Sequence, residues 1–171
     1  MLRKIALIFF TISLLLIQGC AQSEPFMSSE GKFSIDISTK PDEDKNSAEA
    51  KLGGKKLWWR LEHATFMVSY ADNPDAKKEN AERAVMASAD GFSLTIPKGA
   101  EIISRNNVVL EGYPGVEIMS REKDGYTAVA RYYMVDTRLY CIMVLWSAGR
   151  NDQKVSRTLN SFKVLDRSHP E

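Results

Sequence analysis

The residues most able to do chemistry in this chain are two histidines, His63 and His169, and two cysteines, Cys20 and Cys141. A nucleophilic hydrolase needs a serine or cysteine beside a base, and the G-x-S-x-G motif is absent. Cys141 lies in an apolar stretch, which predicts a buried and inert thiol. We expect His63 to be a structural or surface residue, and His169 falls in the C-terminal tail. A hydrolase using His63 or Cys141 is the least supported hypothesis, and we expect no catalytic site.

Metal and cofactor motifs are missing as well. The sequence contains no H-E-x-x-H motif, no paired C-x-x-C and no EF-hand loop. It also lacks a glycine-rich phosphate loop and a basic stripe with interleaved aromatic residues, so we expect no nucleic-acid binding. We predict no metal and no cofactor. A loose divalent-cation site stays open at two groups of acidic residues, which are more often simply solvated: Glu111 with Glu117, and Asp42 with Glu43 and Asp44.

Five aromatic residues are candidates for a binding surface. Adjacent residues of a strand point to opposite faces, so one of Trp58 and Trp59 and one of Tyr132 and Tyr133 are expected to point inward. Their partners then point outward, and an exposed aromatic ring is a typical docking anchor. Tyr113 is expected to cover an open end of the core. Core packing is favoured over binding for each pair.

The first nineteen residues have the layout of a secretory signal peptide. Arg3 and Lys4 precede an uncharged apolar run of thirteen residues, from Ile5 to Ile17. A membrane-spanning helix needs about 20 apolar residues, so this run is too short for a stable span. The sequence therefore predicts export followed by removal of residues 1–19.

The end of this run resembles the lipobox of bacterial lipoproteins, in the segment Leu16-Ile17-Gln18-Gly19-Cys20. Gly19 has no side chain to obstruct a peptidase that cuts before Cys20. The resemblance implies a diacylglyceryl thioether on Cys20 and an added acyl chain, such as palmitate, on its freed amine. Several chains anchor a protein firmly, since each buried CH₂ contributes about 0.8 kcal/mol. Ala21 at the next position resembles the sorting pattern for the outer membrane, facing the periplasm.

Composition divides the rest of the chain into a tether, one domain and a short tail. We expect residues 20–30 to be the lipidated cysteine and a flexible tether, 31–166 a single domain, and 167–171 the C-terminal tail. Once Cys20 is acylated, Cys141 is the only cysteine left, so the domain has no internal disulfide. The formal net charge of +1 points to no particular partner.

The first half of the domain is expected to contain strands and then a helix. Gly53 and Gly54 predict a tight turn that joins residues 48–52 to the next strand as a hairpin, because both glycines can adopt positive φ. Asn73-Pro74-Asp75 predicts the start of a helix. Alternation of apolar and polar residues predicts three strands: residues 33–37, 57–62 and 65–71. Mostly small residues share one face of the predicted helix: Ala81, Ala84, Val85, Ser88 and Phe92.

The second half is expected to contain strands and one closing helix. A hairpin is predicted about Asp136-Thr137, and the closing helix begins near Asn151. A short edge strand is predicted at residues 162–165. The other strands are predicted at residues 101–104, 107–110, 115–121, 127–135 and 138–146. Together these elements predict an α+β fold with a central antiparallel sheet flanked by helices.

Three stretches resemble a group of small exported bacterial proteins with a PsbP-like fold. The fold class implied is an α/β/α sandwich, and the order of predicted elements agrees with it. Named members of this superfamily are an extrinsic photosystem II subunit and a Ran-binding factor, which are accessory proteins that act by docking. The stretches are Leu110-Glu111-Gly112-Tyr113-Pro114-Gly115-Val116-Glu117, Ala130-Arg131-Tyr132-Tyr133-Met134-Val135 with Arg138-Leu139-Tyr140, and Leu159-Asn160-Ser161-Phe162-Lys163.

The resemblance and the missing catalytic motifs predict a binding role. We expect a membrane-anchored lipoprotein whose non-enzymatic domain faces the periplasm and binds a protein partner in the cell envelope. The alternative is a carrier that holds a small ligand or lipid between the sheet and a helix. Both hypotheses require a groove or pocket on the domain.

Overall fold

A seven-stranded antiparallel sheet is the centre of the fold in the computed structural model, which describes residues 24–76, 78–95, 99–147, 149 and 152–165. The strands are β1 (Phe26–Ser28), β2 (Phe33–Ile35), β3 (Asp42–Glu43), β4 (Lys55–Arg60), β5 (Ala64–Asp72), β6 (Glu101–Leu110), β7 (Tyr113–Arg121), β8 (Tyr126–Val135), β9 (Arg138–Ser147) and β10 (Lys163–Val164). The helices are α1 (Ala48–Lys51), α2 (Ala81–Thr95), which follows a 3₁₀ turn at Lys78–Asn80, and α3 (Asp152–Asn160).

The order of strands in the main sheet is β3-β4-β5-β9-β8-β7-β6, and all neighbours are antiparallel. Tight turns join the last four strands along the chain, because antiparallel neighbours need only a short connection. Glu111 and Gly112 join β6 to β7 with φ of 54° and 94°, and Asp136 joins β8 to β9 with φ of 53°. A second sheet has the order β1-β2-β10.

One face of the main sheet, here called face one, carries Phe66, Val68 and Tyr70 of β5 and is covered by the small sheet and α3. Phe33 of β2 and Phe162 stack with ring centroids 5.4 Å apart. Both rings pack near Tyr140 of β9, with centroid separations of 6.5 and 5.6 Å. Aromatic pairs at these distances add about 0.5–1.5 kcal/mol each beyond the burial of their area. Face one therefore carries the aromatic core.

The opposite side, face two, is packed more thinly. Ala81, Val85 and Ala89 of α2 are buried against the sheet residues Val116, Ile118 and Ala130. Small residues let the helix lie close to β7 and β8, which are the strands that it contacts. The short helix α1 contacts β4 and β5 at the other end of the same face. Strand β9 lies between these two contact areas.

The N-terminal segment belongs to the fold from Phe26 onward. β1 pairs with β2, so the flexible tether predicted for residues 20–30 is wrong for its last part. The reason is a set of anchoring contacts. Arg138 donates to the Glu30 carbonyl at 2.8 Å, and the Tyr140 hydroxyl donates to the Gly31 carbonyl at 2.7 Å.

Residues 48–52 form helix α1 and a turn, not the first strand of a hairpin. Ser47 caps the helix, since its hydroxyl accepts a hydrogen bond from the Ala50 backbone N–H at 3.2 Å. Gly53 has the expected positive φ of 75°, but Gly54 is required for a different reason. A Cβ on Gly54 would lie 1.8 Å from the Tyr70 carbonyl oxygen, so the chain passes too close to β5 for any side chain.

Two further boundaries differ from the sequence predictions. Asn73-Pro74-Asp75 forms a turn, in which the Asp75 N–H donates to the Asn73 side-chain oxygen at 3.3 Å, and α2 begins only at Ala81. The strands predicted at 101–104 and 107–110 are one strand, β6, with a bulge at Ile103. The side chain of Phe92 lies outside the described part of the chain.

The remaining elements follow the prediction. β5 places Phe66, Val68 and Tyr70 on one buried face, and β8 and β9 form the hairpin about Asp136. Helix α3 buries Val155 and Leu159, and β10 pairs with β2 as a short edge strand. The α+β class, with a central antiparallel sheet between helices, is confirmed.

Replacing Gly54 by alanine should destabilise the domain by about 2 kcal/mol or more, because the added Cβ collides with the backbone of β5. The matched control is Gly91→Ala in α2, where the Cβ meets nothing within 4 Å. That change should stabilise the helix by about 0.5–1 kcal/mol. Urea unfolding of the two variants checks this pair. Equal effects of the two substitutions would contradict the close approach of Gly54 to β5.

The ion pair of Asp72 with Arg138 should make stability depend on acid pH. Arg138 donates two hydrogen bonds to Asp72, at 2.6 and 2.9 Å, and this lowers the pKa of the carboxyl. A carboxyl whose folded pKa is lowered adds stability above its unfolded pKa of about 3.9 and loses it as the pH falls through the folded pKa. The contribution is at most about 1 kcal/mol, because the Asp72 side chain is half exposed.

Asp72→Asn should therefore be less stable than the unchanged chain at pH 7. The difference in free energy of unfolding should shrink as the pH falls below about 3.9 and disappear below the lowered folded pKa of Asp72. Asp124→Asn, in the exposed turn between β7 and β8, is the control. Thermal or urea unfolding across this pH range measures the difference. A deficit that persists at pH 2 would show that the carboxylate charge is not its source.

Candidate functional site

A groove on face two is the candidate site, with a volume of about 340 Å³. It lies between the contact areas of α1 and α2, over strands β5 and β9. The groove exists because α2 packs over β7 and β8 while α1 packs over β4 and β5. The lining residues are Glu49, Lys56, Met67, Ser69, Tyr70, Ala71, Gly91, Tyr132, Leu139, Cys141 and Met143.

The floor of the groove is apolar, and its methionine side chains are flexible. Met67 on β5 pairs with Met143 on β9, so the two methionines lie side by side. Leu139 and Cys141 are on the same strand face as Met143. Methionine side chains are flexible and polarizable, and they adapt to irregular apolar partners. Met143 and Leu139 are only partly buried, so the floor presents apolar surface to an occupant.

The rim of the groove carries two opposite charges. Glu49 comes from α1 and Lys56 from β4. The Lys56 ammonium lies 5.5 Å from the centroid of the Trp58 ring, a cation–π distance. Both groups are partly exposed. A polar rim around an apolar floor is the usual anatomy of a binding surface.

Cys141 and Tyr132 face each other across β9 and β8 in the floor of the groove. Burial raises the pKa of the Cys141 thiol to about 12, and burial also raises the pKa of Tyr132. The thiolate is the nucleophilic form, so at neutral pH this cysteine is protonated and unreactive. The prediction that Cys141 is buried is confirmed.

The structure divides the five aromatic residues predicted as a binding surface between the two faces of the sheet. Trp59 and Tyr133 lie in the core of face one, 1% and 5% exposed. Trp58 and Tyr132 lie on face two, as the alternation predicts, but Tyr132 is buried at 8%. Trp58 is only partly buried on face two, and Tyr132 is one of the residues that line the groove. Tyr113 packs partly buried at the edge of the face-one core, as expected.

His63 lies apart from the groove. It lines a separate depression of about 120 Å³ together with Val155 and Thr158 of α3, and its imidazole is 3.2 Å from Glu62. Cys141 lines the groove, and His63 is not among the residues that line it. The structure does not bring His63 and Cys141 together. His169, Gly19 and Cys20 lie outside the described residues.

Three of the five acidic residues considered as a cation site have cationic partners. Asp42 pairs with Arg60, Glu43 with Lys55 at 3.3 Å, and Glu117 with Arg131 at 2.7 Å. Within the described ranges, no cluster of three or more metal-ligating side chains occurs. None of the helices in those ranges has the length and apolar character needed to cross a bilayer.

The groove was not predicted from the sequence. The relevant residues are on the second face of β5 and β9, where Met67, Leu139 and Met143 alternate with the core residues. A strand covered on both faces is apolar at nearly every position, and such a run gives no sign of which face is left open. The uneven packing of α2 over the sheet determines which part of face two stays open.

Comparison with known proteins supports the fold. No protein-family model matches the chain, and no curated protein matches it. PsbP (CyanoP) from Synechocystis sp. PCC 6803 has a similar structure, with a TM-score of 0.60 and 13% identity over 86% of this chain and 95% of that one. A protein from Bacteroides thetaiotaomicron VPI-5482 has a TM-score of 0.52 and 12% identity over 88% of this chain. The match covers 51% of the Bacteroides protein, about half its length. The chain described here therefore has a PsbP-like α+β fold.

Proposed function

We propose that this protein is a bacterial lipoprotein, anchored through Cys20, whose domain binds a segment of another envelope protein in the groove on face two. The observation that carries the binding role is the groove itself, with its partly exposed methionine and leucine floor. The accessory role follows the resemblance to PsbP-like proteins. No enzymatic activity is part of the proposal.

The shape of the groove favours a protein segment. It is open to solvent, and beyond Met143 the partly buried Leu145 and Thr65 lie on the same face of the sheet, in a neighbouring depression. An extended or helical segment has one apolar face that fits such a surface. Glu49 and Lys56 at the rim then orient the partner through its charges.

The anchor would hold the groove close to the membrane. β1 begins at Phe26, six residues after Cys20. A fully extended chain spans at most about 3.6 Å per residue, so the domain begins within about 22 Å of the acylated cysteine. This short reach restricts partners to proteins at the same membrane surface. The proposed membrane is the outer membrane, on its periplasmic side.

The second candidate is a carrier of a small apolar ligand or lipid. The volume of about 340 Å³ supports it, since ligand pockets commonly measure about 300–1,000 Å³. A drug-sized ligand is usually buried over most of its surface, whereas this groove is open along one side. The protein-binding function is therefore preferred.

The lipid anchor predicts a defined N-terminus. Mass spectrometry of the protein isolated from membranes of its source bacterium should find Cys20 as the first residue, carrying a diacylglyceryl group and an amide-linked acyl chain. Cys20→Ala should keep residues 1–19 and lose both lipids. Cys141→Ala, at the other cysteine, should leave processing unchanged. An unmodified Cys20 thiol in the mature protein would contradict the anchor.

The groove predicts position-specific crosslinking. A photoreactive benzophenone amino acid at Met143 should join the full-length protein to one defined partner in intact cells. The control places the same amino acid at Met86, which is 40% exposed on α2 and does not line the groove. The product should be a larger protein band at position 143 and absent at position 86.

The result also separates the two candidate functions. A small added mass on the protein, without a new band, would support the carrier function. Labelling that is equal at both positions, or absent from both, would contradict a binding role for the groove.

Met143→Lys puts a charge on the floor at a partly exposed position and should weaken capture by a probe placed at Leu139.

A further inference from the structure

The outer edge of β6 is unpaired by any described residue. β6 is the last strand of the main sheet and is ten residues long. The other end of the sheet is different, because β3 is only two residues long and carries the exposed acids Asp42 and Glu43. Short, charged edge strands resist pairing with other chains, and long ones invite it. The two ends of this sheet are therefore not equivalent.

The edge of β6 also exposes apolar side chains. Ile102 is 46% exposed, Ile103 42% and Val109 72%. The strand has no proline and no lysine, and its one edge-protecting feature is the bulge at Ile103, close to the start of the strand. Its charges are one acid, Glu101, and one base, Arg105. An exposed strand of this kind is a template for adding another strand.

We propose that two copies of this protein pair through β6, antiparallel, about a two-fold axis at Asn106. A two-fold axis perpendicular to the sheet keeps each face continuous across the two copies. In this register, Ile102 of one copy lies opposite Val109 of the other, and the same contact occurs twice. Ile102 and Val109 thus cover each other, and Ile103 at the bulge stays outside the pairing.

The register is selected by self-complementarity. The apolar residues lie at opposite ends of the strand, so only an antiparallel partner brings Ile102 against Val109. The bulge at Ile103 places Ile102 on face two together with Val109. No like charges face each other, because Arg105 lies opposite Asn107 and Glu101 opposite Leu110. Cross-strand apolar pairs contribute about 0.2–1 kcal/mol each.

The contacts within each copy leave this edge available. Arg105 is held toward α2, where it donates to Asp90 at 2.6 Å and to the Met86 carbonyl at 3.4 Å. Its side chain therefore turns away from the edge. The proposal is independent of the groove, which lies over β5 and β9, and of the lipid on Cys20.

Disulfide trapping in the full-length protein tests the pairing. Asn106→Cys places two thiols across the axis with Cα atoms about 5 Å apart, within disulfide reach. The control is Glu101→Cys on the same strand, where the two copies of residue 101 lie roughly 27 Å apart. After mild oxidation, Asn106→Cys should give at least about tenfold more linked dimer than Glu101→Cys, because disulfides need Cα atoms within about 7 Å.

A second substitution makes the test specific for β6. Val109→Lys in the Asn106→Cys protein should cut the linked dimer about tenfold, because each lysine faces Ile102 of the other copy in an edge-protecting position. Val109 is mostly exposed, so this variant should fold, and thermal unfolding verifies that. Equal linking of the two cysteine variants, no linking at all, linking to a different protein, or linking unaffected by Val109→Lys would each overturn the proposal.

Discussion

Unequal packing on the two faces of one antiparallel sheet is the constraint from which the other features follow. Face one buries interlocking aromatic rings, with Phe33 at their centre. Face two is closed over β7 and β8 by the alanine-rich side of α2. The same close approach keeps α2 away from β5, and α1 is only four residues long. The sheet surface between the two helices is therefore left as a groove.

The segment Arg138-Leu139-Tyr140 at the start of β9 holds this arrangement together. Arg138 pairs with Asp72 of the neighbouring strand and fixes the backbone at Glu30, while Tyr140 fixes Gly31. Leu139, between them, points to the other face and lines the groove. The segment from Arg138 to Tyr140 thus holds the start of the domain against the sheet and contributes Leu139 to the lining of the groove. In the proposed function, this tie keeps the groove near the acylated end of the chain.

Much of the fold could be predicted from the sequence, because alternation and turn residues are local signals. The strands β5, β8 and β9 and the helix α3 follow from them. Residues 48–52 were not predictable in this way, since a four-residue helix depends on its Ser47 cap and on the close approach of Gly54 to β5. The groove was missed for a related reason. Alternation shows which side chains share a face, but only the packing of α2 decides that Met143 stays partly uncovered.

The central claim is that the face-two groove is occupied by a partner in the cell. Oxidative footprinting of methionines in the unaltered protein measures this directly, by comparing the purified protein with the protein in intact envelopes. Met86, 40% exposed on α2 and outside the groove, reports general reactivity. The account predicts that Met143 oxidises several-fold more slowly in envelopes while Met86 is unchanged. Equal oxidation of Met143 in both preparations would contradict it.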